Sequence, residues 1–428
     1  METDTLSDSQ RKQGMRLVYL GQGMGAMLYH LLSSSALGVL FIKQLGGSDF
    51  QAMFLTSLFL VTRVMMLPTS LLVPPRHGKR FLLGGWFGGG IAISLGLAAT
   101  LLDLDPSTRV AVFLIFTTLG MISLNSGNTF WFPLLHDLVP ANERGRFFGK
   151  MRTCWSCTTL VAIVLSGLFL GDQPELWRFQ AVLAIVLVFF FVRTIVIRKV
   201  PSTPAPGDDD YADWKHYVKD ILSRREVLIF CAYFSSLIFV SGFLGAPLVL
   251  YMERMGFPVG GNILVYGCTT LGNILALLVA GMLSDRFGTK RTFFLAHIVL
   301  CAVSFCVVGI GYLPLAQAGK LMPIATTLCG AMLAMAGVAC TVQLFHLAPD
   351  RGRAFFMSLA NILFYTGAAF SPLIVGAVDR RLGVGWHTQV MGLQMDFFQL
   401  IFTLAGLAMA LLMIGLYFVE DVQASSSE

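Results

Sequence analysis

Twelve stretches of this chain run for about twenty residues or more with hardly a charge in them, and that pattern constrains the fold more than any other. A bilayer core about 30 Å thick needs roughly 20 apolar residues at about 1.5 Å per residue. Apolar runs lie at 15–43, 50–72, 81–102, 109–136, 147–170 and 176–198, then at 225–252, 261–284, 291–312, 322–346, 354–378 and 393–418. In lipid an open sheet leaves its edge unsatisfied, so these runs predict twelve transmembrane helices. Composition agrees: 56% of the 428 residues are hydrophobic and 13% charged, where soluble domains carry roughly 25% charged residues. A multidomain cytosolic enzyme is excluded. The net charge of +6 is no nucleic-acid footprint either, because the basic residues punctuate apolar runs instead of forming one stripe.

Orientation follows from the basic residues. With the N-terminus inside, 22 Lys and Arg fall on the cytoplasmic side and seven on the other, and Arg63 lies within a span. The cytoplasmic set counts Arg193 with the central loop. Both termini are therefore expected in the cytoplasm of a multi-pass cell (inner) membrane protein. The first apolar run is too long for a signal-peptide core and leads straight into further spans. All eight Cys fall within spans, so no disulfide framework or thiolate metal site is expected. No Asn-x-Ser/Thr acceptor occurs, which fits a bacterial inner membrane.

Residues 199–224 form the one long polar segment between spans. It opens V-P-S-T-P-A-P-G-D-D-D, which cannot bury a core. Tyr211, Trp214, Tyr217, Val218, Ile221 and Leu222 then recur at helical spacing, as in an amphipathic surface helix. The segment divides the chain into six-helix bundles at 1–198 and 225–428, and the two repeat each other. Arg144-Gly145-Arg146 and Arg351-Gly352-Arg353 are 207 residues apart, each between an acid and a Phe pair. G-M-L-S-D-R-F-G-T-K-R (281–291) follows L-L-V-P-P-R-H-G-K-R-F (71–81) by 210. Repeats at equivalent loops point to a duplicated unit, a known transporter plan with the substrate site near midplane between the repeats.

On these residues the chain resembles the major facilitator superfamily. Gly281, Asp285, Arg286, Gly288, Lys290 and Arg291 match its signature loop G-x-x-x-D-R-x-G-x-K/R-R. The resemblance implies that this loop latches the cytoplasmic gate, Asp and Arg exchanging partners as helices shift. It extends the gate set to Arg76 and Gly78 in the first-half copy, and to Arg144, Arg146, Arg351 and Arg353. In the first-half copy Pro75 stands where the family's pattern has Asp, leaving Arg76, Gly78, Lys79 and Arg80.

Charges within hydrocarbon are expensive and face a cavity or a partner. Arg63, in L-F-L-V-T-R-V-M-M-L-P, is too deep in span 2 to snorkel, and Asn273 is its counterpart in span 8. The family's cavity-lining helices add Tyr29 and His30 (span 1), Asn125, Asn128 and Trp131 (span 4), Tyr233 (span 7), Tyr266 (span 8), and Asn361 and Tyr365 (span 11). Any of these polar groups can instead serve as interhelical glue. No carboxylate lies near midplane, and span 5 lacks the Gly-Pro motif of the family's cation-exporting drug antiporters. The expected solute is therefore small, polar, and anionic or neutral. It would be carried by a monomer that contacts lipid and solute, with a coupling ion where transport runs uphill. The chain has no P-loop, and no cofactor, metal, nucleic acid or catalytic residue is expected. The alternatives are an efflux pump of the same fold, a membrane-embedded enzyme built on His136-Asp137, and a transporter-like sensor.

Overall fold

The computed structural model describes all residues except 1–5, 34, 141–142, 203–217, 220–222, 349–352, 384, 391 and 423–428. Eleven helices are long and apolar enough to cross a membrane, and Asp8–Ser33 with Ala36–Gln44, bent by 50°, makes up a twelfth span. Spans 2 to 6 are Asp49–Leu72, Gly78–Ala99, Pro106–His136, Arg146–Leu170 and Leu176–Arg198. Spans 7 to 12 are Arg225–Arg254, Val259–Ala280, Thr289–Ile310, Leu315–Leu347, Ile362–Leu382 and Phe397–Phe418. They form two six-helix bundles. The amphipathic helix expected over 211–222 lies largely outside the described residues.

Proline places the interruptions within the spans. Its ring clashes with the carbonyl four residues back and it lacks an N–H. Pro68 accordingly follows the tight 3₁₀ turn Thr62–Met65 in span 2, and Pro133 follows a break at Thr129–Phe130 in span 4. Pro247 follows the turn Gly242–Leu244 in span 7. Pro372 in span 11 leaves its helix continuous. There the Ser371 hydroxyl donates to the Ala368 carbonyl (3.1 Å), the acceptor that proline deprives of a partner.

The last span begins later than its hydropathy suggests. His387–Val390 and Leu393–Asp396 pair as an antiparallel hairpin, and the helix starts at Phe397. Asp396 caps it, accepting from the Gln399 amide at 2.8 Å, while the Gln399 side chain accepts from the Asp396 amide. Of the span 3 glycines, Gly85 and Gly89 pack on span 4. A Cβ there would sit 2.7 Å from the Ser123 carbonyl oxygen and 2.8 Å from that of Gly120. Gly84 faces open space.

The bundles meet at the end of the molecule opposite the termini. Arg254, closing span 7, donates to Asp49 at the start of span 2 and to Asp379 at the end of span 11, each at 2.7 Å. Lys43 holds Asp49 from the other side at 2.5 Å. Beside this network a Cβ on Gly376 of span 11 would come within 3.0 Å of the Phe50 Cα. Spans 5 and 8 touch end to end: the Gly260 and Val259 amides donate to the Gly171 and Asp172 carbonyls at 2.7 and 3.3 Å. The orphan donors of one helix start thereby satisfy carbonyls beyond the end of another.

At the terminal face each bundle ties the end of its last helix to the first turn of its third, span 3 or span 9. Lys79 Nζ donates to the Val200 carbonyl beyond span 6 at 2.5 Å, and Lys290 Nζ donates to the Tyr417 carbonyl at the end of span 12 at 3.3 Å.

Candidate functional site

The broken segment of span 2 carries Arg63, and span 4 holds that break in place. In a regular helix the Phe59 carbonyl would bond the amide four residues on. Here the buried Asn125 donates to Phe59 O (2.9 Å) and to Thr62 Oγ1 (2.8 Å). Asn128 donates in turn to Asn125 Oδ1 (3.3 Å), and Trp86 Nε1 of span 3 donates to Asn128 Oδ1 (2.8 Å). The two asparagines, three apart on one face, thus form one chain from span 3 to the break.

Arg63 projects between the bundles. Its guanidinium carbon lies 4.0 Å from the Tyr365 ring centroid in span 11 and 4.9 Å from that of Phe59. Tyr29 of span 1 stacks on Phe59 with centroids 4.5 Å apart and touches the His30 ring at 4.1 Å. His30 also faces Trp155 of span 5 at 6.3 Å. Tyr29, His30, Phe59, Arg63 and Tyr365 are thereby brought together.

Arg193 belongs to the same region, and counting it with the central loop is corrected. It sits five residues before the end of span 6 and is 6% exposed. Its guanidinium lies 3.5 Å from the Trp86 ring centroid and 5.9 Å from that of Trp131. Span 1 makes room for it with glycine, since a Cβ on Gly25 would fall 1.6 Å from Arg193 Cδ. Moving Arg193 off the loop leaves the charge asymmetry between the faces intact.

Among the described residues neither Arg63 nor Arg193 has a hydrogen bond or an ion pair, and Arg193 Nε is fully shielded with no acceptor. An Arg at mid-bilayer costs about 2.5–3.5 kcal/mol on insertion scales. A desolvated cation–π contact returns about 2 kcal/mol. The rings therefore offset much of the charge burial but accept none of the five N–H donors a guanidinium carries in its plane. Those donors are left without an acceptor among the described residues.

Other sequence candidates lie elsewhere. Tyr233 points into its own bundle, its hydroxyl 2.8 Å from Nε2 of the buried His297 in span 9 and its ring edge-on to Phe293. Its neighbours are thus core groups; helical spacing alone cannot tell which side of span 7 faces the partner bundle. The Tyr266 hydroxyl lies near the Gly245 turn in span 7, 3.8 Å from where a Cβ there would sit. Asn273 is half-buried and has no hydrogen bond among the described residues. The Asn361 side chain lies outside the described residues.

The sequence profile of the Major Facilitator Superfamily matches residues 17–269 and 261–428. The chain belongs to the major facilitator superfamily. No curated protein matches its sequence. Solved superfamily structures share the fold over nearly their whole length. A D-xylose–proton symporter has a TM-score of 0.73 at 16% identity, covering 96% of this chain and 98% of that one. The xylose transporter XylE from E. coli, partially occluded and inward open, gives 0.69 at 14% identity over 98% and 100%. A point mutant of the nucleoside transporter NupG gives 0.68 at 15% identity over 95% and 99%.

The superfamily loop motif is only partly placed. Arg286 is exposed, its guanidinium 5.5 Å from the ring of the neighbouring Phe287. Gly281 lies in the helix Val259–Phe287, while the side chain of Asp285 lies outside what is described, as do Arg351 and the side chains of Arg144 and Arg353. Arg76, Arg146 and Arg291 are exposed. Gly78 is buried, a Cβ there falling 2.6 Å from the Phe130 ring. Gly288, at φ +83, and Lys290 hold the C-terminal tail: Asp421 Oδ1 accepts from the Lys290 amide at 3.0 Å, and the Thr289 amide donates to Val422 O at 3.1 Å. A carboxylate at the start of span 9 complements that helix's positive end.

Proposed function

We propose that this superfamily member moves a small polar solute, anionic or neutral, across a cell membrane by alternating access of its two bundles, as a secondary active or facilitative transporter. The division at 1–198 and 225–428, with 199–224 as a cytoplasmic linker, is part of this reading. So is the placement of both termini in the cytoplasm, which rests on the basic residues crowding the terminal face. With that orientation the Arg254–Asp49 contact closes the outer side.

The observation that carries the solute class is Arg63: a guanidinium at the junction of the bundles, flanked by Phe59 and Tyr365 and unpaired with any acid among the described residues. An anionic group suits the cation. A neutral polar ring suits the stacked Tyr29 and Phe59 faces. Tyr29, His30, Asn125, Asn128, Trp131, Tyr266, Asn273, Asn361 and Tyr365 remain binding candidates, with Asn125 supporting Arg63 from behind. Asp285 and Arg286, with the other basic loop residues, are proposed as the cytoplasmic gate.

A thermal-shift screen of purified protein against anionic, neutral and cationic metabolites identifies ligands, since binding to the native form raises its melting point. Uptake of the best ligand into proteoliposomes should be abolished by Arg63→Ala in protein that still folds. Unchanged affinity in that variant would remove Arg63 from the site, and a cationic winner would overturn the solute class.

A further inference from the structure

We infer that Arg193, held against the Trp86 ring beside Gly25, is a second anion station on the terminal side of Arg63, and that the solute is an oxyanion, carboxylate or phosphate, received there. The inference deepens the proposed transport reading and rests on it for the word solute. The anion site itself does not depend on that reading.

Three observations converge. First, Arg193 is more than nine-tenths buried, yet among the described residues no protein acceptor meets its donors. A purely structural arginine at this depth would be expected to find carbonyls or a carboxylate; this one packs against the Trp86 ring with its Nε turned to Gly25, which leaves the terminal N–H donors for an oxyanion. Second, the two arginines share a scaffold. Trp86, which stacks on Arg193, donates to Asn128, which donates to Asn125, which fixes the break carrying Arg63. Third, Gly25 and Tyr29 lie one turn apart on span 1, Gly25 against Arg193 and Tyr29 stacked on Phe59, whose ring centroid lies 4.9 Å from the Arg63 guanidinium. Arg193 lies about 7–8 Å from the terminal-face end of span 6 at 1.5 Å per residue. Arg63 lies nearer the middle of span 2. The two cations therefore stand at successive depths along one face of span 1.

The test needs no knowledge of the solute. In full-length protein whose only tryptophan is Trp86 (the others changed to Phe), quenching is compared for iodide, neutral acrylamide and caesium. With each quencher scaled to its effect on free N-acetyltryptophanamide, iodide should quench several-fold more efficiently than caesium. Millimolar inorganic phosphate should protect, and Arg193→Gln should bring iodide down to the acrylamide level while Arg193→Lys keeps most of the preference. Equal quenching by iodide and caesium, no protection by phosphate, or an unchanged iodide preference in Arg193→Gln would each overturn the anion station. If Arg193→Gln does not fold, the iodide-to-caesium ratio and phosphate protection in the unsubstituted arginine protein decide the matter alone. Absence of flux in proteoliposomes with intact phosphate protection would instead sink the transport reading and leave the site standing.

Discussion

Replacing Arg254 with Ala should release the end of the molecule opposite the termini. Of its two carboxylate partners only Asp49 belongs to the other bundle, so that single contact at 2.7 Å sets how much the closed arrangement loses. A hydrogen bond to a charged group contributes about 1.5–3 kcal/mol, and a fully exposed ion pair only about 0.2–1 kcal/mol. Arg254 and Asp49 are 25% and 14% exposed, which places the loss between those ranges, at about 1–2 kcal/mol. At tenfold per 1.4 kcal/mol, the ratio of closed to open forms should fall by roughly 5- to 30-fold. Spin labels on cysteines introduced at the exposed Ser107 and Lys320, in protein without native cysteines, report the distance between the bundles by pulsed electron resonance. Arg254→Ala should add a longer-distance population. Asp49→Asn should add a similar one, and the double variant should shift little further, because both remove the same contact. An identical distance distribution in all four proteins would refute the reasoning.

Asn125→Ala should cost about 1–3 kcal/mol, since it strands the Phe59 carbonyl and Thr62 hydroxyl in a buried site. Asn273→Ala, which breaks no such bond, should stay within about 0.5 kcal/mol; comparable melting points for the two would refute the difference. Gly260→Val should push spans 5 and 8 apart, since a Cβ there would lie 2.4 Å from the Gly167 carbonyl oxygen. Faster thiol labelling of a cysteine placed at Asp172 is the expected result, and an unchanged rate would contradict it. Asp105, capping span 4, has its carboxyl lowered to about 2 by hydrogen bonds from Ser107 and Thr108. Its contribution is therefore complete above the ordinary value of 3.8 and lost as pH falls through about 2. Amide exchange at Thr108, corrected for intrinsic rate, should lose protection in that window, and Asp105→Asn should abolish the pH dependence.

The membrane spans and the twofold repeat were legible in the sequence because both are written as contiguous patterns of apolar length and loop motif. Arg63 stood out for the same reason, as a charge deep within an apolar run. Arg193 did not, because a basic residue a turn and a half from a span end reads as snorkelling to the nearest loop; only packing against Trp86 and Gly25 reveals that it turns inward. Tyr233 shows the converse. Its polarity suggested a cavity, but which side of span 7 faces His297 depends on how the bundle is assembled. The network of Lys43, Asp49, Arg254 and Asp379 joins residues far apart in the chain, each looking like an ordinary charge at a helix end. Breaks preceding Pro68, Pro133 and Pro247 could have been read in advance from the clash with the carbonyl four residues back.

The bonds from Lys79 to the Val200 carbonyl and from Lys290 to the Tyr417 carbonyl buckle each sextet of helices into a closed hoop. Each fastening lies within a single sextet, so it stays made whether or not the two sextets touch at their far ends.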